Sequence, residues 1–267
     1  MARLCERLLL LATLVLAGCG ATSTVPAATR ARAIGFAHNV SDAPLWSRWG
    51  SAGELRFLEI VVGTDEVDAT LPLVVALHGI GDGPRIPDGG YLHRARAYRL
   101  VLPEAPLLFE AGRAWSTHRA SDGQPELLAA DLEARVPAIV ELIEVLTATR
   151  PTRGRPVLVG YSQGGHLAFV VGTQRPELFT AIVPMAAWLP PPLVPDGPPS
   201  RRTPIRGVHA RDDERVPLAP TEALYDHLNA LGWDARLEIV LGSHAPSPAI
   251  EDFFGRQLDA ALTEIDR

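Results

Sequence analysis

"VLVGYSQGGHLA", Val157 to Ala168, sets apolar β-type residues before Gly160-Tyr161-Ser162-Gln163-Gly164 and an apolar helix-forming stretch after it. A short Val/Leu run that ends at glycine reads as a buried strand. The stretch from Gln163 to Gln174 reads as a helix that Arg175-Pro176 stops. Strand, tight turn and helix in that order form the repeating unit of a parallel sheet with helical crossovers. The pattern G-x-S-x-G decides little by itself, because a chain of this length holds one by chance about one time in ten. Its neighbours must supply the argument.

Outward from that unit, short β-branched runs alternate with longer helix-like stretches. "LRFLEIVVG" (Leu55–Gly63), "LPLVVALHG" (Leu71–Gly79) and "YRLVLPEAP" (Tyr98–Pro106) read as strands, and a polar loop carrying Trp115 follows them. Glu126 to Ala148 reads as helix, with Val136, Ile139, Val140, Ile143 and Leu146 on one face; Pro137 inside it marks a kink or a second helix start. "FTAIVPMAAWLP" and "PIRGVHARDD" are two more strands, separated by the proline-rich loop Pro190–Pro199. A helix over Thr221–Leu231, the strand "ARLEIVLG" and a last helix over Ser247–Ile265 complete the chain. The pattern predicts one α/β domain over residues 34–267, a mostly parallel central sheet with helices on both faces.

Composition narrows the chemistry. The 267 residues carry a formal net charge of −6, which argues against a nucleic-acid partner. All 25 basic Lys+Arg residues are arginine, so Schiff-base and P-loop lysine chemistry are excluded. At the N-terminus, Arg3 and Arg7 precede the apolar run Leu8–Ala17, which is too short to span a bilayer and reads as an export signal over residues 1–18. "LAGC", Leu16–Cys19, resembles the lipobox of bacterial lipoproteins, in which the cysteine is diacylated and begins the mature chain. That implies a lipid anchor at Cys19, attachment to a membrane of the bacterial cell envelope, and a flexible tether over residues 19–33. The other cysteine, Cys5, falls inside the removed segment, leaving the mature protein without a disulfide.

Ser162 stands where a nucleophile elbow would put it, on a sharp turn between strand and helix with small neighbours. A serine hydroxyl needs a base to take its proton and a third group to hold that base. Hydrolases built this way run Ser, acid, His along the chain, each after a strand. His244, in the small-residue loop "LGSHAPS", fits the base. His209 precedes any acid and reads as packed, and His166 lies one turn into the nucleophile's own helix. The acid belongs in "VHARDDERVP", where spacing does not choose among Asp212, Asp213 and Glu214. For the oxyanion, one donor would be the Gln163 backbone N–H. The other would come from "LHGIGDG" (Leu77–Gly83), where the Ile80 N–H fits and His78 braces the loop. Trp115 and Trp188 read equally as cleft-lining residues or as packing. The constellation requires no metal and no cofactor.

Together "LHGIGD", "GYSQGG", "AAWLP", "HARDDERVP" and "GSHAPS" resemble the phospholipase/carboxylesterase family of α/β-hydrolases, which includes the acyl-protein thioesterases. In that family the acid lies three residues before a Val-Pro pair, which implies Asp213 here, before Val216-Pro217, with Asp212 as runner-up. Ala210 and Arg211 stand where the family typically has Gly and Asp. "LPLVVALHG" is also similar to secreted feruloyl-esterase and polyhydroxybutyrate-depolymerase-like esterases. The resemblance implies a serine carboxylic-ester hydrolase working through an acyl-enzyme. The short loop between Trp188 and Arg206, without room for a helical lid, points to an open cleft and short to medium acyl esters. A catalytically inactive envelope-binding lipoprotein on the same scaffold is the alternative from another class. Such proteins usually lose the serine or the histidine, and here both stand. The sequence leaves oligomeric state unassigned.

Overall fold

A sheet covered on both faces needs strands that are apolar throughout, and the central strands here are. The computed structural model describes residues 46–86 and 96–267. The signal segment, Cys19 and the tether lie outside the described residues. In chain order the strands are β1 (Trp46–Ala52), β2 (Leu55–Val62), β3 (Leu73–Leu77), β4 (Tyr98–Pro103), β5 (Leu107–Phe109), β6 (Gly112–Ala114), β7 (Val157–Tyr161), β8 (Ala181–Met185), β9 (Ile205–Ala210) and β10 (Ala235–Val240). The helices are α1 (Pro125–Glu133), α2 (Val136–Thr149), α3 (Gln163–Gln174), α4 (Leu218–Ala230) and α5 (Pro248–Ile265).

Eight strands form one sheet in the order β1-β2-β4-β3-β7-β8-β9-β10, and β5 and β6 make a separate hairpin. β2 runs antiparallel to both neighbours, while β4 through β10 are mutually parallel in the sheet. Side chains alternate along each strand: Leu73, Val75 and Leu77 of β3 join the core built with α1 to α4, whereas Val74 and Ala76 join the core built with α5. The expected mostly parallel sheet with helices on both faces is therefore the observed architecture.

Three local differences from the sequence reading have physical causes. Pro137 does start a second helix: α1 ends at Glu133 and α2 begins at Val136, with the proline in its first turn, where no N–H is needed. β1 was not anticipated, because "WSRWGSA" is polar and half-buried as an edge strand. Nor was the β5–β6 hairpin within the expected polar loop, since strands of three residues are too short to show a period. The last helix opens as expected, with the Ser247 side chain accepting from the Ile250 N–H and Pro248 at the first helical position.

Because β3, β7, β9 and β10 are parallel, the segments that follow them leave the same edge of the sheet. That edge gathers the chain around Ile80, Ser162, Asp213 and His244.

Candidate active site

The turn between β7 and α3 holds Ser162 at φ 52°, ψ −118°, a backbone conformation that a non-glycine residue rarely adopts. Its amide donates to the Met185 carbonyl at 2.9 Å. The flanking glycines are required by close approach. A Cβ on Gly160 would stand 2.1 Å from the Gly164 oxygen, and one on Gly164 would stand 2.3 Å from the Leu77 oxygen. Only hydrogens at both positions let α3 start directly against β3 and β7.

Ser162 Oγ lies 2.8 Å from His244 Nε2, and His244 Nδ1 lies 2.8 Å from Asp213 Oδ2. The carboxylate's other oxygen, Oδ1, accepts from the backbone amides of Arg215 at 2.9 Å and Val216 at 2.8 Å. Burial alone would raise the Asp213 pKa. The bonds from His244, Val216 and Arg215 outweigh it and hold the carboxyl below its ordinary value, so it is an anion at neutral pH. Among the three acids that spacing left open, Asp213 is the one against the imidazole. Asp212 is exposed, and Glu214 reaches the loop from outside, its Oε2 accepting from the His244 N–H at 3.3 Å.

The other histidines are placed differently. His209 is fully buried; its Nε2 donates to the Val216 carbonyl at 2.8 Å and stands 3.5 Å from Asp213 Oδ2. His78 Nδ1 donates to the Gly79 carbonyl at 2.7 Å while Nε2 accepts from the Ala105 amide at 3.2 Å. It ties the loop after β3 to the chain after β4, and burial pushes its pKa down, keeping it neutral. His166 lines the cleft beside Ser162.

That cleft has a volume of about 560 Å³. Ile80, Ser162, Gln163 and His244 form its reactive end, Leu128 and Phe109 supply apolar wall, and Glu110, Arg119 and Arg215 stand at its exposed rim. Gln163 is the first residue of α3, so its N–H has no intrahelical acceptor and remains available to an anion. Neither tryptophan lines the cleft. Trp115 is fully buried, with Nε1 donating to the His78 carbonyl at 3.0 Å, so packing is its role and the cleft reading is corrected. Trp188 is half-buried against the helix-side core.

The contacts of two residues, Gln163 and Tyr161, were not legible in the sequence. The Gln163 side chain accepts from the Trp115 N–H at 2.6 Å and donates to the Ser116 carbonyl at 2.9 Å, clamping that loop to the elbow. The Tyr161 hydroxyl donates to the His244 carbonyl, fixing the base's loop from beneath. Adjacency to Ser162 is the only cue either residue carried. Among the described residues no group of three or more His, Cys, Asp or Glu side chains is arranged to hold a metal ion.

The Phospholipase/Carboxylesterase family profile matches residues 58–250, a span that contains every one of these residues. The chain belongs to the phospholipase/carboxylesterase family. Its solved structural relatives include esterase PE8, at 26% identity and a TM-score of 0.60, covering 74% of this chain and 95% of that one. A carboxylesterase from Mesorhizobium loti, at 16% identity and a TM-score of 0.60, covers 82% of this chain and 99% of its own. A Bacillus cereus carboxylesterase, at 14% identity and a TM-score of 0.61, covers 78% and 95%. These two distant likenesses establish the fold alone, the α/β-hydrolase sheet. No curated protein matches the sequence. Membership of the phospholipase/carboxylesterase family makes the chain a carboxylesterase-like hydrolase.

Proposed function

We propose that the protein is a serine carboxylic-ester hydrolase that works through an acyl-enzyme. The observation that carries this reading is the unbroken hydrogen-bond chain Ser162 Oγ, His244 Nε2, His244 Nδ1, Asp213 Oδ2 at 2.8 Å per contact, opening into the cleft.

In this reading Ser162 Oγ attacks the ester carbonyl carbon as its proton passes to His244 Nε2. Asp213 fixes the ring with Nδ1 protonated and stabilises the imidazolium that forms. The carbonyl oxygen becomes an oxyanion that accepts from the Ile80 and Gln163 backbone N–H groups, each worth about 3 kcal/mol in the transition state. Collapse expels the alkoxide, which takes the proton from His244. Water, deprotonated by the same imidazole, then releases the acid and restores Ser162. The open cleft and the absence of a helical lid between Trp188 and Arg206, where only a single turn at Pro191–Leu193 occurs, favour short to medium acyl chains. The signal and Cys19 would hold this chemistry at the cell envelope, a placement resting on the sequence alone.

Ser162→Ala is expected to abolish hydrolysis of short p-nitrophenyl esters and labelling by a fluorophosphonate probe, with thermal stability near wild type. Retained activity would sink the assignment. Failure of the wild-type protein to label would favour the inactive binding scaffold.

A further inference from the structure

His166 sits four residues after Ser162 on α3, which places it one helical turn deeper, about 6 Å along the axis. Only 3% of its surface is exposed, yet it lines the same cleft as Ser162. A buried polar ring on a cleft wall must satisfy both nitrogens or leave one for a ligand.

The Nδ1 side is settled by two contacts to one residue. Nδ1 lies 2.8 Å from the Trp188 carbonyl oxygen and 3.2 Å from the Trp188 amide nitrogen. One ring nitrogen cannot serve both as donor and acceptor. A nitrogen and an oxygen at 2.8 Å without a proton between them would repel as two lone pairs, whereas the Trp188 N–H, which is directed at the same ring nitrogen, reaches it only at 3.2 Å, the long end of the hydrogen-bond range, so the shorter contact decides. The proton therefore lies on Nδ1 and points at the carbonyl. Burial, the largest influence, pushes the ring's pKa down to about 4, so at neutral pH it stays uncharged. A neutral imidazole protonated at Nδ1 carries a lone pair at Nε2. Among the described residues the ring's hydrogen bonds are both at Nδ1, and none reaches Nε2.

We propose that His166 Nε2 is an acceptor subsite for a hydroxyl group carried by the substrate within a few bonds of the scissile ester. This deepens the ester-hydrolase reading and rests on it. The placement sets the reach: the His166 N–H bonds the Ser162 carbonyl at 2.9 Å, so the two side chains leave consecutive levels of one backbone into the same cleft, which favours a hydroxyl only a few bonds from the reacting carbonyl. Leu128 and Ala120 line the same cleft, and a substrate lacking the hydroxyl leaves Nε2 buried against carbon. The hydroxyl can sit on the acid or on the alcohol side of the ester, and the recognition chemistry is the same for both.

The test compares kcat/KM on matched esters by pH-stat. Ethyl 3-hydroxybutyrate against ethyl butyrate reports the acid side, and 2-hydroxyethyl butyrate against propyl butyrate reports the alcohol side. The hydroxylated ester is expected to be favoured about five- to tenfold on one arm, with ethyl 3-methoxybutyrate or 2-methoxyethyl butyrate losing that preference. His166→Asn keeps a donor for the Trp188 carbonyl and deletes Nε2. It should abolish the preference, read as equal kcat/KM for the hydroxylated and the plain ester within the variant; a merely structural loss would lower both esters alike and leave their ratio as in wild type. No preference on either arm, or a methoxy ester favoured as strongly as the hydroxyl, overturns the subsite while leaving the hydrolase reading intact. No hydrolysis of any ester by the wild-type protein overturns that reading and the subsite with it.

Discussion

At the scale of single residues, the buried imidazoles make the site sensitive to acid. A histidine whose folded pKa lies below its unfolded value binds fewer protons when folded. Its stability contribution is complete above the unfolded pKa and is lost as pH falls toward the folded one. For His166 the window runs from 6.5 down to about 4, which is worth about 3 kcal/mol at its lower end. His78 is shifted in the same direction by burial and adds to the slope. Urea unfolding of wild type and His166→Asn at pH 7 and pH 4 should show the variant losing about 3 kcal/mol less than wild type on acidification. Equal losses would mean that the ring is protonated in the folded state. The strand-turn-helix context singled out Ser162, and chain order then singled out His244, which follows a strand in the order Ser, acid, His. Choosing Asp213 needed the family resemblance, because only the folded loop shows which of three neighbouring acids turns inward. The Gln163 side chain and Tyr161 were silent: their partners, Trp115 with Ser116 and His244, are 47 to 48 and 83 residues away in the chain.

At the scale of elements, the strand-turn-helix unit at Val157–Gln174 is the part that sequence specifies most tightly. Its glycines are spacers between packed backbones. Gly164→Ala would place a methyl carbon 2.3 Å from the Leu77 oxygen and 2.5 Å from the His78 oxygen, so α3 must lift off β3. The expected cost is about 3 kcal/mol of stability, at the upper end for overpacking because the obstacle is backbone. Ester hydrolysis should fall further than folding does, since the same shift moves the Gln163 amide away from the Ile80 loop. Gly83→Ala, with nothing within 4 Å of the added carbon, serves as the control and should unfold within about 0.5 kcal/mol of wild type. Chemical denaturation of the three proteins decides the point. Elements built on a period were legible in the same way, whereas β1 was hidden by its composition. Gly50 in that strand leaves room for the Phe57 ring, which a Cβ there would meet at 2.5 Å, and Arg48 and Arg56 cover Trp46 and Trp49 at 4.8 and 4.9 Å. An edge strand so made looks like a loop until its partner is known.

At the scale of the whole molecule, the sheet's antiparallel side is held by one buried carboxylate. Glu59 on β2 is fully buried and accepts from Arg48 on β1, Arg99 on β4 and Arg150 just past α2, joining two flanking strands and a helix end at a single side chain. Arg99 continues the tie to the Val67 carbonyl at 3.0 Å in the chain leading to β3. In "LRFLEIVV" the glutamate reads as one polar position in an apolar strand, and nothing local announces three distant arginines. Burial, the largest influence on Glu59, would raise its pKa. The Arg48 hydrogen bonds and the charges of Arg150, Arg48 and Arg99 reverse that, so the carboxyl stays ionised well into acid. Removing the charge is therefore far costlier than removing the cluster, because three guanidiniums would be left crowded together, with the nearly unexposed Arg99 deprived of its counterion. Glu59→Gln is expected to destabilise the fold by about 3–5 kcal/mol, read as a lower urea midpoint with an unchanged slope. Arg99 pairs in register with Leu73 at the start of β3, while the loops bearing Ile80, Ser162, Asp213 and His244 leave the strands' other ends. The folded fraction of the variant should accordingly keep wild-type kcat/KM on ethyl butyrate at a temperature below its transition. A variant that stays stable yet loses turnover would instead show that the cluster sets the geometry of the site across the sheet.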